Sequence, residues 1–234
     1  MNAKDILMKA VQCDKDGRIL EAQDLYQDGI QILMELVGDE KDTAKKKVYL
    51  ERIKEYIDRA EQIKLRVQKH MESGEIVANI PIDDNSTGHS YKSLFGKYLN
   101  GAVKEILIDE PYFTERYQFQ NFIVLLELAV KQCKNLKYVR VVTKPDPKNP
   151  AGQNSMMKNI KDDLTQRGIT LSIKFEATLH DRKIILSNGY IIKIGRGLHF
   201  FKPTNPQYTL GLCDYDYRNC LQTDVDICRT KTFS

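Results

Sequence analysis

The 234-residue sequence lacks the segments that would carry it into or across a membrane. No apolar run approaches the roughly 20 residues that a bilayer-spanning helix needs. The first residues, Met1 to Ile6, have no apolar core of the kind found in a signal peptide, and Asn2 stands where N-myristoylation requires glycine. We therefore expect a cytoplasmic protein whose contact with membranes is peripheral.

Metal and disulfide chemistry have little support in the sequence. The five cysteines are scattered and form no Cys-x-x-Cys pair, and the four histidines include no His-Glu-x-x-His motif. Reduced thiols in a cytosolic protein fit this pattern best. The sequence predicts neither a metal site nor a cofactor.

Two common catalytic motifs are also absent. No Gly-x-Ser-x-Gly is present to hold a nucleophilic serine, and Gly195-Arg196-Gly197 lacks the lysine and hydroxyl that complete a Walker loop. Serine hydrolase and P-loop nucleotidase chemistry are therefore not expected.

The sequence does have an ordinary globular composition, with 41% hydrophobic and 29% charged residues. Its charge is uneven. Residues 1–75 carry 14 Lys/Arg against 16 Asp/Glu, a net charge of −2, and the remainder carries 22 against 16, a net charge of +6. An acidic front part followed by a basic part suggests two partners of opposite charge.

Residues 1–75 have the apolar spacing of three helices with short connections, which predicts an all-α three-helix bundle. The first ends near Asp16-Gly17, the second runs from Ile19 to Val37, and the third begins after Asp42-Thr43. Gly29 would let the second helix approach a neighbour closely. From the pattern alone, a helical dimerisation or spacer domain explains this region as well as a binding domain does.

Two segments of the bundle resemble a MIT domain, and the similarity covers essentially residues 1–73. They are Ala22-x-x-Leu25-Tyr26-x-x-Gly29-Ile30-x-x-Leu33 and Tyr56-Ile57-Asp58-Arg59-Ala60-Glu61-x-Ile63-Lys64. The resemblance implies a groove between the second and third helices that binds the C-terminal helices of ESCRT-III subunits.

By that resemblance, Ile57 and Ala60 form the apolar part of the groove, Glu61 pairs with a basic residue of the incoming helix, and Lys64 lies at the rim. Two alternatives stay open at this point. Ile57 could be a core residue, and Glu61 could pair within its own helix.

Residues 76–90 are rich in turn-forming residues and predict a linker. Residues 91–234 then alternate helices and strands, which predicts an α/β domain with sites near the carboxyl ends of its strands. Asn188-Gly189 predicts the tight turn of a β-hairpin.

The hairpin region, Ile173 to Gly197, resembles the phospholipase D superfamily, whose signature is His-x-Lys-x4-Asp followed by a Gly/Ser/Asn-rich strand. In this comparison His180 stands at the nucleophile, Arg182 replaces the lysine and Ser187 replaces the aspartate. Arginine is not a conservative substitute for lysine at a phosphate-binding site. We therefore expect a degenerate site without catalytic residues, in which His180 and Arg182 are vestigial. An active phosphodiesterase using His180 is the alternative.

The same region offers cations for binding an anionic lipid headgroup: Arg182, Lys193, Arg196 and Lys202. His199-Phe200-Phe201 would place aromatic side chains beside them, unless these phenylalanines belong to the core. A nucleic-acid-binding module is the second alternative, because a basic phosphate-binding surface does not by itself select its polymer.

The pairing of a MIT-like domain with a phospholipase D-like domain resembles the MIT domain-containing protein 1 family. This resemblance implies an adaptor for ESCRT-III in cytokinetic abscission that dimerises through its second domain and contacts acidic membranes with it. It also implies location at late endosomes and the midbody. No nucleic acid partner is expected.

Overall fold

A computed structural model describes residues 2–72, 74–204 and 208–230, excluding the side chains of residue 66 and residues 68–72. The described chain divides into two compact units, a helical unit up to residue 72 and a sheet unit from residue 74. Among the described residues, no helix is both long and apolar enough to cross a membrane.

The helical unit contains the three predicted helices: α1 (Ala3–Lys15), α2 (Ile19–Asp39) and α3 (Thr43–Glu72). The Asn2 side chain caps α1 by accepting a hydrogen bond from the Asp5 amide at 2.9 Å. Gly17, with φ +74°, ends the first helical segment. Helix α2 packs against both α1 and α3.

Close packing of α1 on α2 depends on Gly29. A Cβ at this position would lie 2.6 Å from Leu7 Cγ, so only glycine allows this approach. Helix α3 is tied to α1 by Arg59, whose Nε and Nη2 donate to the two carboxylate oxygens of Asp14 at 2.6 and 2.8 Å. These contacts hold α1 against both other helices.

The sheet unit contains seven strands in the order β1-β7-β6-β5-β2-β3-β4. Strands β2, β3 and β4 are parallel neighbours, and every other pairing is antiparallel. The elements are β1 (Glu75–Ile82), α4 (Tyr91–Phe95), β2 (Glu105–Asp109), α5 (Arg116–Gln132), β3 (Tyr138–Thr143), α6 (Pro150–Gln166), β4 (Thr170–Phe175), β5 (Lys183–Leu186), β6 (Tyr190–Ile194) and β7 (Thr223–Arg229). The predicted combination of an all-α bundle and an α/β domain is confirmed.

The predicted hairpin is β5-β6, and Gly189 at its turn has φ +92°. Alternation along β5 sends Ile184 and Leu186 into the main core, whereas Lys183 lies on the opposite face.

Two sequence expectations are wrong. The interval 76–90 is not a linker throughout, because Glu75–Ile82 forms β1 and pairs with β7. From Ala78 on, every second residue of the strand packs against the core: Ala78, Ile80 and Ile82. Pro81 is tolerated because β1 is an edge strand. Phe200 and Phe201 are not exposed beside the cations: both are buried and stack on each other with centroids 4.1 Å apart.

Candidate functional site

The helical unit has an open groove of about 640 Å³ between α2 and α3. Its floor is apolar and is formed by Ile30, Met34, Ile57 and Ala60. Its rim is polar and is formed by Gln27, Gln31, Glu35, Glu61 and Lys64. On each helix these residues recur at three- and four-residue spacing, so each helix presents one continuous face to the groove.

The four residues predicted to bind a partner, Ile57, Ala60, Glu61 and Lys64, therefore line one groove. Ile57 is half-buried there and is not enclosed in the core. Within the described part of the chain, Glu61 takes part in no ion pair, so its carboxylate is available to a cation. The sequence comparison missed the α2 side of the groove, although the spacing of Ile30 and Met34 carries the same helical signal.

The sheet unit has a polar pocket of about 500 Å³ at the edge where β2 and β6 end and β7 begins. Its lining comes from four parts of the chain, within 112–118, at 182, within 195–199 and within 222–224: Tyr112, Tyr117, Gln118, Arg182, Gly195, Arg196, His199, Gln222, Thr223 and Asp224. We refer to it as the arginine pocket. It lies at the carboxyl ends of β2 and β6, near which the α/β pattern predicts sites, and at the start of β5 and β7.

Two cations are held at this pocket by neutral partners. The Arg182 guanidinium lies over the Tyr112 ring, 5.4 Å from its centroid, and Nη1 donates to the Gly195 carbonyl at 3.4 Å. Arg196 Nε donates to the Gln222 carbonyl at 2.8 Å. Among the described residues, neither arginine forms an ion pair with a carboxylate, so both can contribute charge to an anionic ligand.

A buried acid, Glu110, and a half-buried histidine, His199, lie close to Arg182. Glu110 accepts hydrogen bonds from the Leu198 amide at 2.8 Å and the Tyr112 amide at 3.3 Å. Burial nevertheless raises the pKa of Glu110 to about 7, since desolvation outweighs these two bonds. The Nε2 atom of His199 lies 3.6 Å from Glu110 Oε1.

Burial lowers the pKa of His199 to about 4, so the ring is neutral near pH 7. Its Nε2 atom lies 2.9 Å from the Tyr112 carbonyl oxygen, which can only accept, so we assign the ring proton to Nε2. Nδ1 lies 3.5 Å from the Asn121 amide nitrogen. Both nitrogens are thus engaged with the protein.

The second glycine of Gly195-Arg196-Gly197 is required by its backbone conformation and by its close neighbours. Its φ is +63°, and a Cβ there would overlap Glu110 Oε2 and lie 3.0 Å from Arg182 Cδ. Glycine at this position allows the chain to pass close to the buried carboxylate. The segment therefore shapes the arginine pocket from behind.

The structure divides the four cations predicted to bind phosphate. Arg182 and Arg196 share the arginine pocket, but Lys193 and Lys202 do not line it. Lys202 Nζ donates to Asp84 Oδ2 at 2.7 Å and to Asn85 Oδ1 at 2.8 Å. His180 is exposed and lies outside the pocket lining.

Lys183, the neighbour of Arg182, allows a second register for the phospholipase D signature. Lys183 is the first residue of β5, lies opposite Asp109 on β2, and forms ion pairs with Asp109 at 3.3 Å and Asp181 at 2.6 Å. Counted from this lysine, Asp181 stands at the signature histidine and Asn188 at its aspartate. The signature histidine is missing in this register.

Comparison with known families agrees with the two units. Residues 1–65 match the MIT (microtubule interacting and transport) domain, and residues 88–229 match the phospholipase D-like domain at the C-terminus of MIT. These matches define the class: a MIT domain joined to a phospholipase D-like domain.

One relative in this class is MIT domain-containing protein 1 of Mus musculus. It is 36% identical over 227 residues, which cover 97% of this chain and 91% of the relative. The chain belongs to the MIT domain-containing protein 1 family, as the resemblance of its motifs predicts.

Proposed function

We propose that this protein is an adaptor that links ESCRT-III subunits to acidic membranes during cytokinetic abscission, at late endosomes and the midbody. The observation that carries the proposal is that each unit has its own binding feature. The helical unit has an apolar groove with a polar rim, and the sheet unit has the arginine pocket.

The groove suits an amphipathic helix. Ile30, Met34 and Ile57 offer an apolar strip to one face of such a helix. Glu35 and Glu61 on the rim favour basic residues beside that face, which is the chemistry expected of the C-terminal helices of ESCRT-III subunits.

The arginine pocket suits a phosphate group. A guanidinium can bind two phosphate oxygens at once, and the exposed Tyr112 and Tyr117 rings flank the opening. The carboxylate of Asp224 also lines the pocket and repels an anionic ligand, which limits the attraction that the two arginines provide. Dimerisation through this unit, implied by the family resemblance, stays a prediction.

Replacing both pocket arginines, as Arg182→Gln with Arg196→Gln, is expected to weaken binding to phosphoinositide-containing vesicles about 30-fold. Each basic residue near an anionic membrane surface contributes about 1 kcal/mol, and two such losses correspond to about that factor. Vesicle flotation with phosphatidylcholine vesicles containing phosphatidylinositol phosphates measures the effect.

The matched control is Lys158→Gln with Lys161→Gln, two exposed lysines on α6 that change the net charge equally. Equal losses in both double variants would show that net charge alone drives binding. Oligonucleotide binding at the same salt concentration tests the nucleic-acid alternative, and tighter binding to oligonucleotides than to vesicles would favour it.

We further propose that the sheet unit binds phosphate without cleaving it. A histidine nucleophile needs a free ring nitrogen facing the substrate, but His199 uses Nε2 on the Tyr112 carbonyl and His180 lies outside the pocket. We expect no phosphodiester turnover above background with lipid or nitrophenyl phosphodiesters. Turnover that disappears on His199→Ala or His180→Ala would establish an enzyme instead.

A further inference from the structure

The sheet unit carries an exposed apolar turn between β6 and β7. Tyr208, Leu210, Leu212 and Tyr217 are 85%, 78%, 43% and 59% exposed. We call the segment from Tyr208 to Leu212 the apolar turn. Tight turns on soluble surfaces normally carry small polar residues, so large apolar side chains here point to a contact outside the chain.

The apolar turn has a defined shape. The Leu212 amide donates to the Thr209 carbonyl at 3.3 Å, and Gly211 has φ +91°. Arg218 clamps the turn from behind, because its Nε donates to the Gly211 carbonyl at 2.7 Å and its Nη2 to the Leu212 carbonyl at 3.0 Å. The Arg218 guanidinium also stacks on Tyr215, 3.8 Å from the ring centroid. The structure therefore holds Leu210 outward and does not fold it onto the core.

The turn belongs to a connection that begins and ends at the arginine pocket. The connection containing it leaves the sheet at Gly195 and returns at Gln222 and Thr223, and all three residues line the pocket. Before it returns, Cys220 exchanges backbone hydrogen bonds with Asn85 and Ser86, which follow β1. Ile82, the last residue of β1, lies opposite Thr223, so this loop too is at the pocket edge.

We propose that the apolar turn inserts into the interfacial layer of an anionic lipid bilayer while the arginine pocket holds a headgroup phosphate. The inference rests on the proposed membrane binding and names the element that enters the lipid. Tyrosine and tryptophan are enriched at the membrane interface, and transfer of a leucine side chain out of water is favourable in free energy. Exposed apolar side chains on a turn suit a soft lipid surface, and the cations of the arginine pocket suit anionic headgroups.

The first test replaces an exposed aliphatic residue inside and outside the turn. We expect Leu210→Ser to weaken binding to phosphatidylcholine–phosphatidylserine vesicles about tenfold in flotation, since burial of a leucine is worth about that factor or more. The control is Ile76→Ser. Ile76 is 72% exposed but lies opposite Cys228, toward the other end of β1, so its loss should leave binding unchanged.

The second test uses the absence of tryptophan from the sequence. In Tyr208→Trp the introduced indole is the sole tryptophan, and its emission should shift to the blue when vesicles are added and be quenched by brominated lipids. The same substitution at Ile76 should show neither effect. Both positions are exposed, so neither change disturbs packing.

The outcomes separate this inference from the proposed function. A wild-type chain that does not float with anionic vesicles would overturn membrane binding as a whole. Wild-type flotation that is unchanged in Leu210→Ser, together with an unshifted Tyr208→Trp emission, would overturn insertion of the turn alone. A loss of equal size in Ile76→Ser would also contradict it.

Discussion

Replacing Ile57 by aspartate is expected to weaken binding of ESCRT-III C-terminal peptides about 100-fold or more, with the helical unit still folded. Ile57 lies on the groove floor with Ile30 and Met34, so the change removes about 2 kcal/mol of apolar contact. It also places a carboxylate where an apolar helix face would cover it, which costs about 1–3 kcal/mol more. Together these losses correspond to at least that factor in affinity.

The measurement is peptide binding to the full chain by calorimetry or fluorescence anisotropy, with circular dichroism as the check on folding. Val48→Asp is the matched control, because Val48 is 54% exposed on α3 and about two and a half turns from Ile57, on the opposite side of the helix. Peptide affinity unchanged in Ile57→Asp would place the binding surface elsewhere. A loss of the same size in Val48→Asp would indicate a charge effect on α3 as a whole.

Replacing Gly197 by alanine is expected to destabilise the sheet unit by about 3 kcal/mol or more. A left-handed φ costs a non-glycine residue about 1 kcal/mol. Overlap of the new Cβ with Glu110 Oε2 adds about 1–3 kcal/mol as an overpacked contact, and any shift of Glu110 weakens its bonds to Leu198 and Tyr112. Denaturant unfolding measures the loss, and amide exchange in β5 and β6 assigns it to the sheet unit.

Gly168→Ala separates these contributions. Gly168 also has a left-handed φ, +72°, but a Cβ there meets nothing within 4 Å. Gly168→Ala should lower the free energy of unfolding by only about 1 kcal/mol. A further variant joins Gly197→Ala with Glu110→Ala, and its loss should be smaller than the sum of the two single losses because the clash is gone. Equal losses at Gly197 and Gly168 would show that the close approach to Glu110 has no energetic weight.

Local signals predicted most of the elements. Helices α2 and α3 are visible in the sequence because their apolar residues recur at helical spacing. Strands β2, β3 and β5 are visible because each is a short run of apolar residues. Strand β1 was missed because Pro81 and the turn residues after Ile82 suggest a linker. Only pairing with β7, far along the chain, makes that segment a strand. The same reason applies to Phe200 and Phe201, whose burial depends on Tyr91 and Tyr215.

The sites show the same division. The α3 side of the groove could be predicted because the residues of one helix face recur at fixed spacing. The arginine pocket could be predicted only in part: Arg182 and Arg196 were candidates, but Lys202 was not known to be paired with Asp84. The sequence places His199 only in an aromatic segment beside the cations, because its contact with Glu110 brings together segments far apart in the chain.

By itself the sequence determined the helical bundle, the α/β domain and the family, since these follow from local periodicity and short motifs. The tertiary structure decided which charges are available. Lys183 and Lys202 form ion pairs, and burial keeps the His199 ring neutral. Arg182 and Arg196 line one pocket together. The physical reason is that neighbouring groups decide whether a charged side chain is paired, neutral or available to a ligand. The fold brings these neighbours from distant segments, so spacing along the chain does not reveal them.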